Sequence, residues 1–332
     1  MEHPLKFAVI GGGSWATAIV KMLSENCDEI GWYMRSVYAK EHLLHARHNP
    51  NYLSAVEFDI SKLKLSNNLD EIIDYADYII FAIPSAFLHN ELEKLRVSLE
   101  DKIVFSAIKG IIPESGLIVG EHFHKNYNIP FDNIGVITGP CHAEEVALER
   151  LSYLTIACSD EKRAKIMAEN LKSHYIRTKI SDDIIGTEYA AMLKNIYAIA
   201  AGIAHGLGYG DNFQSVLMSN AIREMKRFIK RIHHMKRNIN NSAYLGDLLV
   251  TGYSVFSRNR MFGNMIGKGY TVKSAMMEMN MVAEGYYAAK SAYLINQKHQ
   301  SHNTPIIDAV YNILYEGKEA KKVFKKLTEK LD

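Results

Sequence analysis

Over the first half of the chain, short apolar runs alternate with segments whose apolar residues recur at helical spacing. Lys6–Ile10 runs into Gly11-Gly12-Gly13, which reads as a buried strand ending in a tight turn, and Trp15–Leu23 then has helical composition and spacing. Further strands are predicted at Tyr78–Ile83, Lys102–Ser106, Asn133–Thr138 and Tyr153–Ala157, with helices such as Phe87–Leu95 and Glu161–Leu171 between them. Strands alternating with helices of this length predict parallel βαβ units with helices on both faces of one sheet.

Near Asp182-Asp183 the pattern changes. Pro4, Pro50, Pro84, Pro113, Pro130 and Pro140 all precede this point, and the only later proline is Pro305. Strand-like runs stop, while Met, Ala and long polar side chains become common, the composition of stacked helices. The expected architecture is a Rossmann-like α/β domain with a mostly parallel, doubly wound sheet over residues 1–182. An all-α domain follows over residues 183–332 and ends in a charged amphipathic helix between Lys318 and Asp332.

Composition narrows the classes of function. The 332 residues are 48% hydrophobic and 23% charged, ordinary for globular domains, which argues against disorder or a disulfide scaffold. With 39 Lys+Arg against 37 Asp+Glu the formal net charge is +2, so no whole-molecule attraction to nucleic acid is expected. Cys27, Cys141 and Cys158 form no C-x-x-C pair, which suits reduced thiols in a cytoplasmic chain and makes a metal site improbable. The apolar segment after Lys6 is too short for a signal-peptide core or a membrane span, and no stable membrane insertion is expected.

The strand-to-helix turn carries the first candidate chemistry. Gly11-Gly12-Gly13-Ser14-Trp15-Ala16 fits G-x-G-x-x-A, a dinucleotide fingerprint. Gly11 permits the sharp turn, Gly13 lets the backbone approach a pyrophosphate, and the small Ala16 keeps helix and sheet close. The helix start then offers free N–H groups and partial positive charge to the phosphates. At the end of the second strand, where an acidic residue would hold a ribose 2′-hydroxyl, stands Arg35. A guanidinium there suits a 2′-phosphate, so NADP(H) is favoured; a plain surface arginine is the other reading, and NAD(H) use stays open.

From Tyr189 to Gly210, Lys194 is the only residue bearing a full charge. Ala191, Lys194, Ala198 and Ala201 share one helical face, so Lys194 projects from a groove of small side chains. A buried ammonium must be paired or have a depressed pKa, and a depressed pKa suits a general acid at a ketone oxygen. A lysine snorkelling to the surface fits the segment equally well. Lys109 lies at the C-terminal end of a predicted strand, where open parallel sheets meet ligands. The turn Gly139-Pro140-Cys141-His142-Ala143 follows another strand, and its backbone N–H groups are better candidates for ligand contact than a Cys141–His142 nucleophile pair or a His142–Glu145 metal site.

Later in the chain, Ser257 is a good N-cap, with Arg258 and Asn259 in the first turn, and Gly267-Lys268-Gly269 ends that helix. Arginine and asparagine beside free N–H groups suit a phosphate monoester, and a solvated basic helix start is the alternative. Asp247 could cap a helix, pair with Lys194 or meet a substrate hydroxyl. The stretch Arg223–Arg237 holds seven Lys+Arg and one Glu, but Ile222, Met225, Ile229 and Ile232 keep a core-facing stripe, so a solvated face is expected there.

In order, the glycine loop, Ile83-Pro84-Ser85, Lys109-Gly110, Gly139–Glu145, Leu193-Lys194-Asn195-Ile196, Gly246-Asp247-Leu248 and Ser257-Arg258-Asn259-Arg260 resemble the NAD(P)-dependent glycerol-3-phosphate dehydrogenases of the bacterial type. The resemblance runs from residue 6 to about 320. It implies an enzyme that reduces dihydroxyacetone phosphate to sn-glycerol 3-phosphate, with Lys194 as proton donor or acceptor. Substrate contacts are implied for Lys109, Gly139, Cys141, Lys194, Asp247, Ser257, Arg258 and Asn259. Cofactor contacts are implied for Gly11, Gly13, Ser14, Trp15, Arg35, Lys109, Ala143, Arg258, Val282 and Glu284. A homodimer is also in keeping with the family. Ala16 stands where a third glycine is usual, and Cys141-His142 where Ser or Thr and then Phe are usual, so the contact implied for Cys141 reduces to its backbone N–H. The alternatives are another two-domain reductase of the ketopantoate reductase kind and a catalytically silent NADPH-binding protein.

Overall fold

Eight short strands form one sheet: β1 (Phe7–Ile10), β2 (Ile30–Tyr33), β3 (Leu63–Ser66), β4 (Tyr78–Phe81), β5 (Ile103–Ser106), β6 (Ile134–Thr138), β7 (Ser152–Cys158) and β8 (Ile176–Ser181). The computed structural model describes residues 4–279, 283–299 and 303–332. The spatial order is β3-β2-β1-β4-β5-β6-β7-β8. β1, β2 and β4 are completely buried runs, as expected for parallel strands covered on both faces. From β1 the chain steps outward to β2 and β3, then returns to β4 on the other side, so the order reverses beside β1. That reversal is where open α/β sheets receive ligands, at the carboxyl ends of the strands.

β6 and β7 pair antiparallel, whereas every other pairing in the sheet is parallel. The segment joining them holds only the five-residue helix Ala143–Ala147, too little to carry the chain back for a parallel return. β3 and β8 are the two edges and escape an apolar-run reading. β8 exposes both Arg177 and Lys179, the kind of charged edge that blocks further pairing.

Two compact units are present. One runs to Ile108 and resumes from Leu117 to Ile184; the other comprises Lys109–Gly116 and Ile185–Asp332. In the first, helix Ser14–Ser24 follows β1 and packs against helices Ala143–Ala147 and Glu161–Leu171. Trp32, fully buried on β2, donates its indole N–H to the Gly11 carbonyl at 2.7 Å. Buried Asn49 donates to the Gly12 carbonyl at 3.1 Å and to Thr17 Oγ1 at 2.9 Å.

The second unit is built on a 23-residue helix, Ile184–Gly206, whose middle is buried on all sides, from Leu193 to Ile203 save for the small polar exposure of Lys194 and Asn195. Helix Arg258–Gly267 crosses it backbone to backbone. A Cβ on Gly202 would lie 2.0 Å from the Arg260 carbonyl oxygen, and one on Gly263 would lie 2.1 Å from that of Ile199. Gly206 and Gly267 make the same approach one turn further along, so two glycines spaced four apart on each helix form the crossing. Helix Asp211–Ile232 carries the basic stretch as far as Ile232, with Met225 and Ile229 buried and Arg223, Lys226, Lys230 and Arg231 exposed.

Glu224 on that helix is fully buried and accepts the N–H groups of Ile306 and Ile307 at 2.9 and 3.0 Å, capping helix Pro305–Leu314 from a remote part of the chain. Burial pushes its carboxyl up to about 8 despite these two donors. Replacing Glu224 by Ala leaves two buried amides without an acceptor and should cost about 2–4 kcal/mol in urea unfolding. A Gly263→Val variant should lose at least about 3 kcal/mol or fail to fold, whereas Gly210→Ala, where a Cβ meets nothing within 4 Å, should stay within about 1 kcal/mol.

Candidate active site

The glycine turn has the geometry a pyrophosphate needs. Gly11 has φ of +135°, and a Cβ there would lie 2.5 Å from the Ala82 carbonyl oxygen, so no side chain is tolerated. Around Gly13 the space is open, with no heavy atom within 4 Å of an added Cβ. Gly13 is also the N-cap of helix Ser14–Ser24, and its terminus has no side-chain cap, the form of helix start that suits a phosphate. Ala16 is buried 3.5 Å from the Gly11 Cβ position, consistent with a small residue holding helix and strand together. Arg35 is exposed just past β2, and Ser36 caps the next helix, Val37–Ala46, by accepting the Ala39 N–H at 3.2 Å. The turn therefore fits a dinucleotide phosphate on its own stereochemistry.

Lys194 is 3% exposed, which removes the snorkelling alternative. Its Nζ donates to Asp247 Oδ1 at 2.5 Å, and Asp247 is 1% exposed. The second carboxylate oxygen, Oδ2, is buried without a hydrogen-bond partner. Desolvation lowers the Lys194 pKa to about 7 and outweighs the attraction of Asp247; the nearby Lys109 ammonium lowers it further. Asp247 opens helix Asp247–Tyr253 directly after a π-helical turn, Ser242–Gly246, and its carbonyl accepts the Thr251 hydroxyl at 2.6 Å. Such turns are frequent at functional sites because they re-aim a side chain out of regular spacing.

Lys109 is held from the same helix as Lys194. Asn195 donates its side-chain N–H to the Lys109 carbonyl at 2.7 Å, and Lys109–Gly116 clusters with the helical unit. On the other side of Asn195, a Cβ on Gly285 would lie 2.6 Å from its carbonyl oxygen, so helix Glu284–Lys298 begins in close contact there. Buried Asn259 Oδ1 accepts the Gly285 N–H at 2.9 Å. With its oxygen so engaged, Asn259 has its amide N–H donors to offer, the polarity an anion requires. Ser257 caps helix Arg258–Gly267 by accepting the Arg260 N–H at 3.3 Å, and Arg258 is exposed at the first helical position.

Lys194, Lys109, Asp247, Asn259 and the start of the helix at Glu284 are thus gathered through Asn195 and Gly285. Gly139, Cys141 and Ala143 lie in the sheet unit on the turn after β6; Gly139 has φ of +119° and Cys141 is buried. Trp15 is partly buried in the first turn of helix Ser14–Ser24. Val282 lies outside the described residues. Among the described residues there is no cluster of three or more His, Cys, Asp or Glu able to hold a metal, and no helix long and apolar enough to cross a membrane. Asn195, Gly285, Asn49 and Trp32 were not legible as site-builders. Of these only Asn195 had a signal, its place beside Lys194.

The sequence matches the profile described as NAD-dependent glycerol-3-phosphate dehydrogenase N-terminus over residues 6–164 and the corresponding C-terminus over residues 183–325. It is 34% identical over 322 residues to a glycerol-3-phosphate dehydrogenase [NAD(P)+] of Exiguobacterium sp., covering 96% of this chain and 94% of that one. It is 33% identical to the enzyme of that name from Streptococcus agalactiae, over 95% and 94% of the two chains. The crystal structure of a glycerol-3-phosphate dehydrogenase from Coxiella burnetii superposes with a TM-score of 0.89 at 26% identity, covering 98% and 99%. A ketopantoate reductase from Ralstonia eutropha reaches only 0.61 at 12% identity, over 98% and 100% of the two chains, a likeness of fold alone.

With the amine 15N-labelled, Lys194 should titrate near pH 7 by NMR. In Asp247→Asn, where the attraction that opposes desolvation is gone, the midpoint should move down. A midpoint that stays near 10 in the parent chain, or that rises in the variant, contradicts the pairing described here.

Proposed function

Because the chain belongs to the NAD-dependent glycerol-3-phosphate dehydrogenase family through both halves of its sequence, we propose that it catalyses the reversible reduction of dihydroxyacetone phosphate to sn-glycerol 3-phosphate, the backbone of glycerophospholipids. The observation that carries this reading is the buried Lys194–Asp247 pair, whose ammonium is held near neutrality. A bound nicotinamide dinucleotide supplies or accepts the hydride. Gly11, Gly13, Ser14 and Trp15 hold its pyrophosphate end, Arg35 its ribose phosphate, and Ala143, Arg258, Val282 and Glu284 contribute further contacts.

Lys194 gives a proton to the ketone oxygen as the carbinol forms, and takes it back in the reverse direction. Asp247 does two things for that step. Its Oδ1 stabilises the ammonium against desolvation, and its unpartnered Oδ2 accepts a substrate hydroxyl. Lys109, held through its carbonyl by Asn195, orients the substrate and keeps the Lys194 pKa low by repulsion. Arg258 and the Asn259 amide donors hold the phosphate at a helix start capped by Ser257. Gly139 and Cys141 offer backbone N–H groups to the substrate from the turn after β6. NADP(H) is the preferred cofactor on account of Arg35, with NAD(H) also used. The reading extends to a cytoplasmic location, in keeping with three free cysteines, and to a homodimer on family grounds alone.

Replacing Lys194 with Ala should lower turnover by a factor of about 100 or more; near-normal turnover would remove it from the proton-transfer step. With a pKa of about 7, the group is a proton donor below that pH. The rate of ketone reduction should therefore fall as pH rises through 7, while glycerol 3-phosphate oxidation should rise over the same interval. Arg35→Ala should raise KM for NADPH by about tenfold or more and leave KM for NADH within about threefold, measured by absorbance of the reduced cofactor. Equal changes for both cofactors would take the 2′-phosphate away from Arg35.

A further inference from the structure

Helices Pro305–Leu314 and Ala320–Thr328 enclose a cleft of about 390 Å³, within the range of small-ligand sites. Its floor is apolar: Pro305, Ala309, Val323 and Leu327 line it, with Ala309 and Leu327 buried. One rim carries Lys318, Lys322, Lys326 and Lys330, spaced four apart. Lys322 and Lys326 lie within helix Ala320–Thr328, where that spacing stacks like charges on one face and is destabilising until a counter-charge arrives, and Lys318 and Lys330 flank the helix at its two ends. Lys318 donates to Asn312 Oδ1 at 2.6 Å and Lys322 pairs with Glu319 at 2.7 Å. Lys326 and Lys330 have no ion-pair partner among the described residues. Asp308 is the other acidic group of the lining and stands near the Thr304 hydroxyl at 3.4 Å, so the rim is positive on balance.

We propose that this cleft binds a single-chain anionic amphiphile, its hydrocarbon over Ala309, Val323 and Leu327 and its carboxylate or phosphate head against Lys326 and Lys330. The two halves of the lining require the two halves of the ligand. An inorganic anion leaves the apolar floor wet, and a neutral chain leaves the lysine ridge unscreened. A membrane surface fits less well, because the apolar side chains of helix Ala320–Thr328 present no exposed face to insert: Phe324 is buried, and Val323 and Leu327 belong to the floor of the cleft. The assignment is independent of the reaction proposed above.

Isothermal titration of the full-length chain with dodecanoate and with dodecyl phosphate, each below its micelle concentration, tests the site and separates carboxylate from phosphate heads. Saturable binding of either, one per chain, supports it. Lys326→Glu/Lys330→Glu should weaken that binding by about tenfold or more while leaving the melting temperature close to the parent value. Lys321→Glu/Lys325→Glu makes the same charge change on helix Ala320–Thr328 outside the cleft lining and should bind as the parent does. The proposal is overturned by any of four results: no saturable binding of either amphiphile, equal weakening in both double variants, undiminished binding in Lys326→Glu/Lys330→Glu, or equally tight binding of inorganic phosphate or of a neutral dodecyl glycoside.

Discussion

An ammonium buried beside one carboxylate governs the chemistry available to the helical unit. Lys194 sits buried in the middle of a helix whose neighbouring residues, Asn195 apart, are alanine and large apolar ones, so desolvation opposes its charge and Asp247 at 2.5 Å supports it. Neither effect is complete, and the balance leaves a proton that can be exchanged near neutral pH. Removing either partner would strand the other in a low-dielectric interior, where an unpaired charge costs several kcal/mol. The pair is therefore better understood as a device for holding a reactive proton than as a source of stability.

Such a pair needs rigid neighbours, and backbone contact provides them. Gly202 and Gly206 meet Gly263 and Gly267 with no side chain between the helices, which brings the Ser257-capped start of helix Arg258–Gly267 into fixed relation with the Lys194 helix. Gly285 against Asn195 does the same for the helix that starts at Glu284. In the sheet unit the comparable constraint is Gly11, pressed on the Ala82 carbonyl and tied through its own carbonyl to Trp32. In each case the missing side chain sets a distance that no packing of larger residues could reach.

Much of this was legible from residue order. The glycine turn at the end of β1, the helical second half, the Ser257 cap and the isolated Lys194 all rest on local rules: periodicity, capping and the cost of burying charge. The edge strands β3 and β8 were not, because an edge strand is half-exposed and its Lys and Arg interrupt the apolar pattern. The antiparallel pairing of β7 also escaped, since the direction of a strand depends on how far its connection reaches and leaves no mark on the strand itself.

What the sequence determined by itself was the inventory and its spacing: a G-x-G-x-x-A turn, a lone lysine in an apolar helix, an arginine and an asparagine at a capped helix start. Tertiary structure decided the pairings. Asp247 stood open between capping, a substrate hydroxyl and Lys194, and only the fold brings its carboxylate to the ammonium across 53 positions of chain. The same is true of Glu224 at the start of helix Pro305–Leu314, of Asn195 on the Lys109 carbonyl, and of Lys109–Gly116 joining the helical unit. Local propensities depend on neighbours within a turn or two, whereas a buried charge takes whichever partner the packing of distant helices delivers.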